Sequence, residues 1–376
     1  MRIYEYKAWP NFTWDVEALS SKLADIRYSQ GHLLGRMEGL GFELRSEASL
    51  LMLTNDVVKS SAIEGEDLNP DEVRSSIAGR LGLDIAGLIP ASRDVDGIVE
   101  MMLDATQSFS KPLTKSRLFD WHAALFPTGR SGMHRITVGG WRTKEAGAMQ
   151  VVSGHIGGET IHFEAPDYKL LEKEMKIFLQ WFANGCDTDP VIKAGIAHLW
   201  FVTVHPFEDG NGRIARAIGD MALARADGTT ERFYSLSSQV ESDRKEYYSQ
   251  LERQQRGTLN ITEFLLWFLG CLGRAISSAE TTLDNVMFKS QLWVAIKKSP
   301  VNERQRCIIN RMLEDNFIGH MNTSKYSKMS KCSNDTSLRD ITELKNRGIF
   351  IKNSGRGRST SYRLVDAKSI NAIAAL

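Results

Sequence analysis

The stretch from His205 to Arg216 reads His-Pro-Phe-Glu-Asp-Gly-Asn-Gly-Arg-Ile-Ala-Arg and separates two helical patterns. Pro206 ends the first pattern, because proline has no amide hydrogen and its ring clashes with the preceding turn. The segment 210–212 favours a tight turn, since glycine adopts left-handed backbone angles without strain. A second helical pattern starts at about Arg213. The chain is therefore expected to fold with two helices joined by a short loop whose backbone amides converge on one point.

Four side chains in this stretch have the chemistry of a site for a phosphorylated ligand. His205 can accept a proton from a hydroxyl group, and Asp209 is the kind of oxygen ligand that Mg²⁺ prefers. Arg213 and Arg216 are three residues apart, so they share a helix face beside the exposed amides and suit a di- or triphosphate. The alternative is an ordinary turn with a surface histidine and solvated arginines. The grouping of base, acid and two arginines favours the functional interpretation.

The same stretch resembles the signature of Fic-domain proteins, His-Pro-Phe-x-Asp/Glu-Gly-Asn-Gly-Arg-x-x-Arg, and matches every specified position. The resemblance extends over roughly residues 100–275. It implies transfer of AMP from ATP to a Ser, Thr or Tyr hydroxyl of a target protein, with release of pyrophosphate. Family members that phosphorylate instead carry lysine in place of the second glycine of the motif. Gly212 therefore favours nucleotidyl transfer.

The resemblance also implies a role for each residue of the signature. His205 is the base that deprotonates the target hydroxyl. Asp209 holds Mg²⁺ or Mn²⁺ on the phosphates of ATP, and Phe207 packs in the core and fixes the loop. The implied ATP-binding residues are Gly210, Asn211, Gly212, Arg213 and Arg216, with Arg213 on the β-phosphate and Arg216 on the γ-phosphate.

A second motif, Ser60-Ser-Ala-Ile-Glu-Gly65, lies at the end of a helical pattern predicted over residues 46–64. Ser60 and Glu64 are four residues apart and share a helix face, and Gly65 favours the end of the helix. Taken alone, Glu64 is an ordinary solvated acid at a helix end. The motif resembles the inhibitory motif of Fic proteins, which implies that Glu64 pairs with Arg216 and prevents productive binding of the γ-phosphate.

Two further features were interpreted through the resemblance. A glycine-rich, β-prone region at about residues 149–166 predicts a hairpin, which lies where the family has its flap, the strand pair that aligns the target by strand addition. An ordinary surface hairpin is the alternative. Tyr248 lies in the helix after the signature, in a region that the family uses for adenine. Core packing is the alternative role for Tyr248.

The composition predicts a globular protein of several domains. The chain has 376 residues, of which 42% are hydrophobic and 25% charged, so it can bury a core. The expected architecture is mainly α, with an N-terminal helical domain at residues 1–95 that includes the inhibitory helix. A Fic domain with its small flap follows at 96–280. A polar boundary at 281–290 and a winged helix-turn-helix at 288–370 complete it.

The C-terminal part is basic. Residues 288–364 contain 16 Lys and Arg against six Asp and Glu. Helical patterns followed by two short strands around a Gly/Arg turn predict a winged helix whose wing carries Arg356 and Arg358. Such a module binds either DNA or another protein, and the sequence leaves both partners open.

The sequence thus leaves three functions open. The first is a protein adenylyltransferase that Glu64 keeps inactive. The second is a DNA-binding regulator whose Fic core senses a nucleotide, and the third is an enzyme that removes AMP from a modified target. Four widely spaced cysteines and the absence of a signal peptide or membrane span favour a reducing, cytoplasmic location without a membrane partner. The oligomeric state is open, with a homodimer as one option.

Overall fold

A computed structural model of the protein describes residues 1–85, 87–153, 160–184, 188–297, 299–313, 317–354 and 360–373. The fold is mainly helical, as the sequence predicts, with small antiparallel hairpins. The chain divides into two units, Met1–Glu280 and Thr281–Leu376. None of the helices in these described ranges is both long enough and apolar enough to cross a membrane.

Ten helices and two hairpins of the first unit lie in the described ranges. The helices are α1 (Val16–Glu38), α2 (Phe42–Ile63), α3 (Pro70–Leu81), α4 (Arg93–Gln107), α5 (Lys115–Leu125), α6 (Leu171–Ala183), α7 (Pro190–Val204), α8 (Asn211–Asp227), α9 (Leu236–Ser242) and α10 (Arg244–Gln255). A longer helix, α11 (Thr262–Lys297), follows and contains the division between the units. The strands are β1 (Arg130–Ser131), β2 (His134–Arg135), β3 (Gln150–Ser153) and β4 (Thr160–Glu164), paired as β1–β2 and β3–β4.

Helix α7 forms the centre of the first unit. After Pro190, every residue of α7 except Lys193 is buried. A helix that is apolar on all sides belongs in the core rather than at the surface. Helix α8 packs along α7, and α4 packs against α8. The loop that joins α7 to α8 is therefore held at both ends by core helices.

Helix α2 ends in a motif that fixes the backbone beyond it. Glu64 is the last residue with helical angles, and Gly65 follows with a φ of +86°. The amide of Gly65 donates to the carbonyl of Ala62 at 3.0 Å, and the amide of Glu66 donates to the carbonyl of Ser61 at 3.1 Å. This pair of bonds is the Schellman motif, in which a left-handed glycine reverses the chain. Helix α2 also packs against α8, so this end of α2 lies beside the second motif helix.

The hairpin β3–β4 lies inside the region predicted from the glycine-rich pattern. Gln150 pairs with Glu164 across the two strands, and the register shifts between Val151 and Val152. The hydroxyl of Tyr4 donates to the carbonyl of Glu164 at 2.9 Å and ties the hairpin to the N-terminal segment. The hairpin itself is confirmed, whereas its role as a flap stays a prediction.

The polar segment 281–290, expected as a break between domains, is helical. It lies within α11, which continues without interruption from Thr262 to Lys297. The division between the two units falls at this boundary, after Glu280, but the helix expected to end at residue 280 continues through it. Three apolar residues at helical spacing, Ala279, Leu283 and Val286, are buried along this helix. Their burial stabilises helical structure that the polar residues between them obscure in the sequence.

The second unit contains α12 (Glu303–Met312), α13 (Thr323–Ser330), α14 (Asn334–Asn346), β5 (Phe350–Lys352) and β6 (Tyr362–Leu364). Strands β5 and β6 pair antiparallel. Its apolar core includes Ile308, Tyr326, Ile341, Leu344 and Phe350. A winged helix stays a prediction for this unit, and the wing residues Arg356 and Arg358 lie outside the described residues.

The close approach of α4 and α5 leads to a stability prediction. A Cβ atom at Gly97 would overlap the carbonyl oxygen of Ala124 and lie 2.7 Å from its carbonyl carbon. Gly97→Ala should lower the free energy of unfolding by about 1–3 kcal/mol, because the backbone of α5 cannot yield without repacking. Gly31→Ala is the control, since a Cβ there has nothing within 4 Å. It should be neutral or stabilising by up to about 1 kcal/mol. Urea unfolding measures both, and equal stability of the two variants would contradict this packing.

Candidate active site

His205 ends α7 in a left-handed conformation that is unusual for a residue with a side chain. Its φ and ψ are 50° and 60°. Its amide still donates to the carbonyl of Phe201 at 3.0 Å, and Pro206 follows at once. Arg142 donates from Nε to the His205 carbonyl at 2.8 Å, and this bond holds the turn from outside the helix. Such strain persists only where surrounding contacts fix the backbone, as they do here.

The hydrogen bond of the imidazole determines which nitrogen can accept a proton. Nδ1 of His205 lies 3.2 Å from the carbonyl oxygen of Val202. A carbonyl only accepts, so Nδ1 carries the hydrogen and Nε2 keeps its lone pair. Burial, with a smaller contribution from the charge of Arg142, lowers the pKa of His205 to about 4. The ring is therefore neutral at pH 7, with one nitrogen ready to act as a base.

Asn211 and Phe207 shape the loop between the two helices. The Phe207 amide donates to Oδ1 of Asn211 at 3.0 Å, and Nδ2 of Asn211 donates back to the Phe207 carbonyl at 2.9 Å. The Phe207 ring is fully buried and stacks on His122 with ring centres 4.2 Å apart. The Asn211 side chain thus braces the loop from within, a role that the resemblance does not give it.

Asp209 points its carboxylate back towards the loop. Oδ1 accepts from the Gly210 amide at 2.6 Å, and Oδ2 accepts from the hydroxyl of Ser131. The Asp209 carbonyl accepts from Nε2 of His122 at 3.2 Å. Burial lowers the pKa of His122 to about 4, so this ring is a neutral structural contact. Mg²⁺ is commonly held by one or two carboxylates together with substrate phosphates, and a single carboxylate next to an amide-rich turn fits that donor set.

Arg216 is buried and paired with the Ser60–Gly65 motif. Its Nη1 lies 2.8 Å from Oε1 of Glu64. Nε donates to the hydroxyl of Ser60 at 2.9 Å, and Nη2 donates to the Ser60 carbonyl at 2.7 Å. Burial opposes the charge of Arg216, but Glu64 and the hydroxyls of Tyr247 and Tyr248 outweigh it and raise the pKa. The guanidinium is therefore a fixed charge that needs an anion beside it.

The Glu64 carboxylate covers the start of α8. A Cβ atom at Gly212 would overlap Oε1 of Glu64 and lie 3.0 Å from its carboxyl carbon. The glycine is thus required for this close approach. Glu64 occupies the space beside the first amides of α8, where an anion is stabilised by the helix dipole.

Tyr248 lies on the wall of a cleft next to Glu64. Its hydroxyl donates to the carbonyl of Ile63 at 3.2 Å and lies 3.4 Å from Oε2 of Glu64. The cleft measures about 610 Å³, and its lining also includes His205 and Gly212. The neighbouring Tyr247 is the buried tyrosine and contacts Nε2 of His198 at 3.0 Å. Both tyrosines line the cleft, and Tyr248 is the more exposed of the two.

Four of the predicted site residues line one cleft, whereas Arg213 lines a separate pocket with Glu66, and the structure adds two residues that the sequence analysis missed. His205, Gly212, Glu64 and Tyr248 line one cleft, with Ser60 and Arg216 behind Glu64. Ser131, on β1, bonds to Asp209, and Glu66 bonds to Arg213. No local motif identifies Ser131. Glu66 stands directly after the Ser60–Gly65 motif, and this second acidic residue beside the motif was a signal available in the sequence.

Profile comparisons place a known domain over the signature. The Fic/DOC family matches residues 112–223. This chain carries a Fic domain. A second profile, described as a domain of unknown function (DUF4172), matches residues 3–83 and covers the Ser60–Gly65 motif.

Curated relatives extend the similarity beyond the Fic domain. Protein adenylyltransferase fic-1 of Caenorhabditis elegans is 28% identical over 254 residues, which cover 66% of this chain and 46% of the relative. Protein adenylyltransferase Fic of Nematostella vectensis is 32% identical over 160 residues, which cover 40% of this chain and 34% of the relative. The chain therefore spans less than half the length of the curated relatives that it matches.

Solved structures share the fold. A Fic family protein from Desulfovibrio desulfuricans G20 aligns with a TM-score of 0.52 at 19% identity, over 95% of this chain and 98% of that one. A Fic domain containing signaling protein from Bacteroides thetaiotaomicron aligns with a TM-score of 0.51 at 21% identity, over 69% of this chain and 96% of that one. These similarities support the arrangement of helices around the Fic signature.

The protonation state of His205 can be tested directly. With a pKa of about 4, its ring should stay neutral, with the hydrogen on Nδ1, from pH 8 down to about 5.5. An unperturbed histidine is about half protonated near pH 6.5. Nitrogen-15 NMR of labelled histidine rings measures this, and His205→Gln assigns the resonance. A titration midpoint above pH 6 would contradict the buried geometry.

Proposed function

We propose that this protein is an adenylyltransferase that transfers AMP from ATP to a hydroxyl group of a target protein, and that Glu64 keeps it inactive. The observation that carries the proposal is a base with a free Nε2 at the end of α7, followed by two buried arginines in the first turns of α8. The relatives named protein adenylyltransferase support the reaction class. Because the chain covers under half of those relatives, activity, target and partners are all part of the proposal.

The proposed reaction assigns each group a chemical task. The target hydroxyl donates its proton to Nε2 of His205 while its oxygen bonds to the α-phosphorus of ATP. The bond between that phosphorus and the bridging oxygen breaks, and pyrophosphate leaves. Arg213, Arg216 and the first amides of α8 stabilise the negative charge that gathers on the leaving group. AMP is then joined to the target through a phosphodiester bond.

Asp209 is the proposed ligand for Mg²⁺ or Mn²⁺. A bound divalent cation would neutralise phosphate charge and orient the nucleotide. The bonds from the Gly210 amide and the Ser131 hydroxyl hold the carboxylate in one orientation. Further oxygen lone pairs stay available on Asp209, since each carboxylate oxygen accepts more than one bond.

Inhibition follows from competition for Arg216. Glu64 sits 2.8 Å from the arginine and also covers Gly212. A terminal phosphate that reached Arg216 would have to replace this carboxylate, because two anions cannot share the same buried space. ATP that leaves Glu64 in place is therefore held in a different pose. The hairpin β3–β4 shares the cleft through Phe163 and is the proposed flap that aligns the target.

Transfer of labelled AMP from ATP in the presence of Mg²⁺ tests both parts of this proposal. Glu64→Gly should raise labelling of protein by roughly 10- to 100-fold, because it frees a charged hydrogen-bond donor worth about 1.5–3 kcal/mol for phosphate. Glu64→Gly/His205→Ala should lose roughly 10²- to 10⁴-fold of that activity, the usual contribution of a general base. The wild-type chain is the control for inhibition.

Two outcomes would count against this reading. Undiminished labelling by the double variant would show that His205 is not the base. No labelling by any variant that still binds ATP would favour the removal of AMP from a modified target, since Glu64 lies where it could orient a water molecule. Release of AMP from a target modified beforehand would then identify that activity.

A second candidate function, DNA binding, is favoured by the charges of the second unit. Lys328 on α13, Lys331 at the following turn, and Arg339 and Lys345 on α14 are exposed. Within the described residues none of these four has a carboxylate within ion-pair distance, whereas Arg304 pairs with the buried Asp340 at 2.9 Å. Two helices joined by a short turn and bearing uncompensated positive charge suit the phosphates and major groove of a duplex. A protein partner for this unit is the alternative.

Fluorescence anisotropy with a labelled 30-base-pair duplex tests DNA binding by the full chain. Lys328→Gln/Arg339→Gln/Lys345→Gln should weaken binding and reduce the slope of log K against log salt by about three, one for each lost phosphate contact. The matched control, Lys7→Gln/Lys111→Gln/Lys173→Gln, removes the same charge from exposed sites in the first unit. An equal effect of the control, or no binding by the wild type, would reject this face as a DNA site.

The remaining expectations stay proposals. A reducing, cytoplasmic location rests on the sparse cysteines of the sequence alone. The oligomeric state has no observation in this structure, and a homodimer stays one option. The division of the first unit into a helical domain at 1–95 and a catalytic domain at 96–280 is likewise a proposal.

A further inference from the structure

Glu66 bonds to Arg213, the first arginine of the Fic signature. Its Oε2 lies 2.6 Å from Nη1 of Arg213. We propose that Glu66 is a second inhibitory residue, which occupies Arg213 as Glu64 occupies Arg216. The inference rests on the proposed function, since it assumes that both arginines receive phosphate groups. It implies that a nucleoside di- or triphosphate must displace two carboxylates, each from its own arginine.

The backbone of the α2 end makes this double pairing possible. Glu64 and Glu66 are two residues apart, whereas Arg213 and Arg216 are one helical turn apart on α8. In a continuing helix, residues two apart would point to different sides. The left-handed Gly65, with its φ of +86°, reverses the chain so that Glu64 reaches Arg216 and Glu66 reaches Arg213. The Schellman bonds fix this reversal and therefore the position of both carboxylates.

The two partners differ in how freely they move. Arg213 is 3% exposed, and its guanidinium lies 5.2 Å from the centre of the Phe126 ring. Its Nε is buried and has no hydrogen-bond partner among the described residues. The Glu66 side chain is 45% exposed. Glu66 can therefore move into water at little cost, whereas Arg213 stays and must receive another anion.

Because Glu66 can leave and Arg213 cannot, Glu66 should lower the affinity for some ligands more than for others. A ligand that reaches Arg213 with a phosphate can replace the lost carboxylate with a charge-assisted bond. A nucleoside monophosphate has one phosphate and cannot satisfy the reacting position and both arginines at once. Glu66 should therefore select against di- and triphosphates far more than against AMP. The inhibitory motif ends at Gly65, so nothing in that motif specifies this contact.

Calorimetric titration with ATP, ADP and AMP tests the proposal on the full chain in Mg²⁺. Glu66→Gln should tighten ATP and ADP binding by roughly 3- to 10-fold and leave AMP within about twofold, since an ion pair of this kind is worth up to about 1 kcal/mol or somewhat more when buried. Glu64→Gly/Glu66→Gln should bind ATP more tightly than either single variant. Asp94→Asn is the matched control, because Asp94 is an exposed acid whose charge acts on Glu66 but which bonds to neither arginine.

Each alternative result has a clear meaning. Weaker ATP binding by Glu66→Gln would show that Glu66 holds Arg213 in its working position, and would overturn the proposal. So would equal gains for ATP and AMP, or an equal gain from Asp94→Asn, since both indicate a general electrostatic effect. Urea unfolding of each variant checks that the fold is intact. Because the titration measures binding alone, failure of the AMP-transfer assay would leave this test able to support or reject the role of Glu66.

Discussion

The buried charge of Arg216 is the constraint on which the site depends. An arginine that is 4% exposed inside a helical unit must find oxygen partners, because an isolated buried charge is prohibitively costly. Ser60 and Glu64 supply them from the last turn of α2. The same contacts hold the end of α2 beside the start of α8. The contacts proposed to inhibit the enzyme are thus also packing contacts, and an anionic ligand at Arg216 would compete with part of the fold.

The loop between α7 and α8 is rigid for a related reason. It leaves a core helix at His205 in a left-handed conformation and enters another at Asn211. The Asn211 amide bonds twice to Phe207, and the Phe207 ring is sealed against His122. These contacts fix the conformation of this short, strained segment. The imidazole, the Asp209 carboxylate and the first amides of α8 therefore keep their relative positions without a ligand, which is the kind of preorganisation that catalysis requires.

The sequence predicted those parts of the site that depend on residues close together in the chain. Pro206 and the glycines around Asn211 specify a loop between helices, so the existence of the turn follows from backbone chemistry alone. It did not reach Ser131, because the contact between Ser131 and Asp209 joins residues 78 positions apart. The helix through 281–290 was missed for a similar reason. Its stability comes from burial of Leu283 and Val286, which the polar composition of the segment hides.

On the proposed double inhibition, Glu64 and Glu66 compete with the phosphates of a free nucleotide, and the two carboxylates have the advantage of being part of the chain. Glu64 and Glu66 are tethered beside their arginines, so each acts at an effective concentration that short linkers commonly bring to the millimolar range or above. A nucleotide must match both at its own free concentration, and it does so only through the extra charge of its phosphates. Loss of one carboxylate removes one of two simultaneous competitors. Gly65 positions both carboxylates, so under this proposal a shift of the backbone at the end of α2 would change the contacts of both arginines and the affinity for a polyphosphate together.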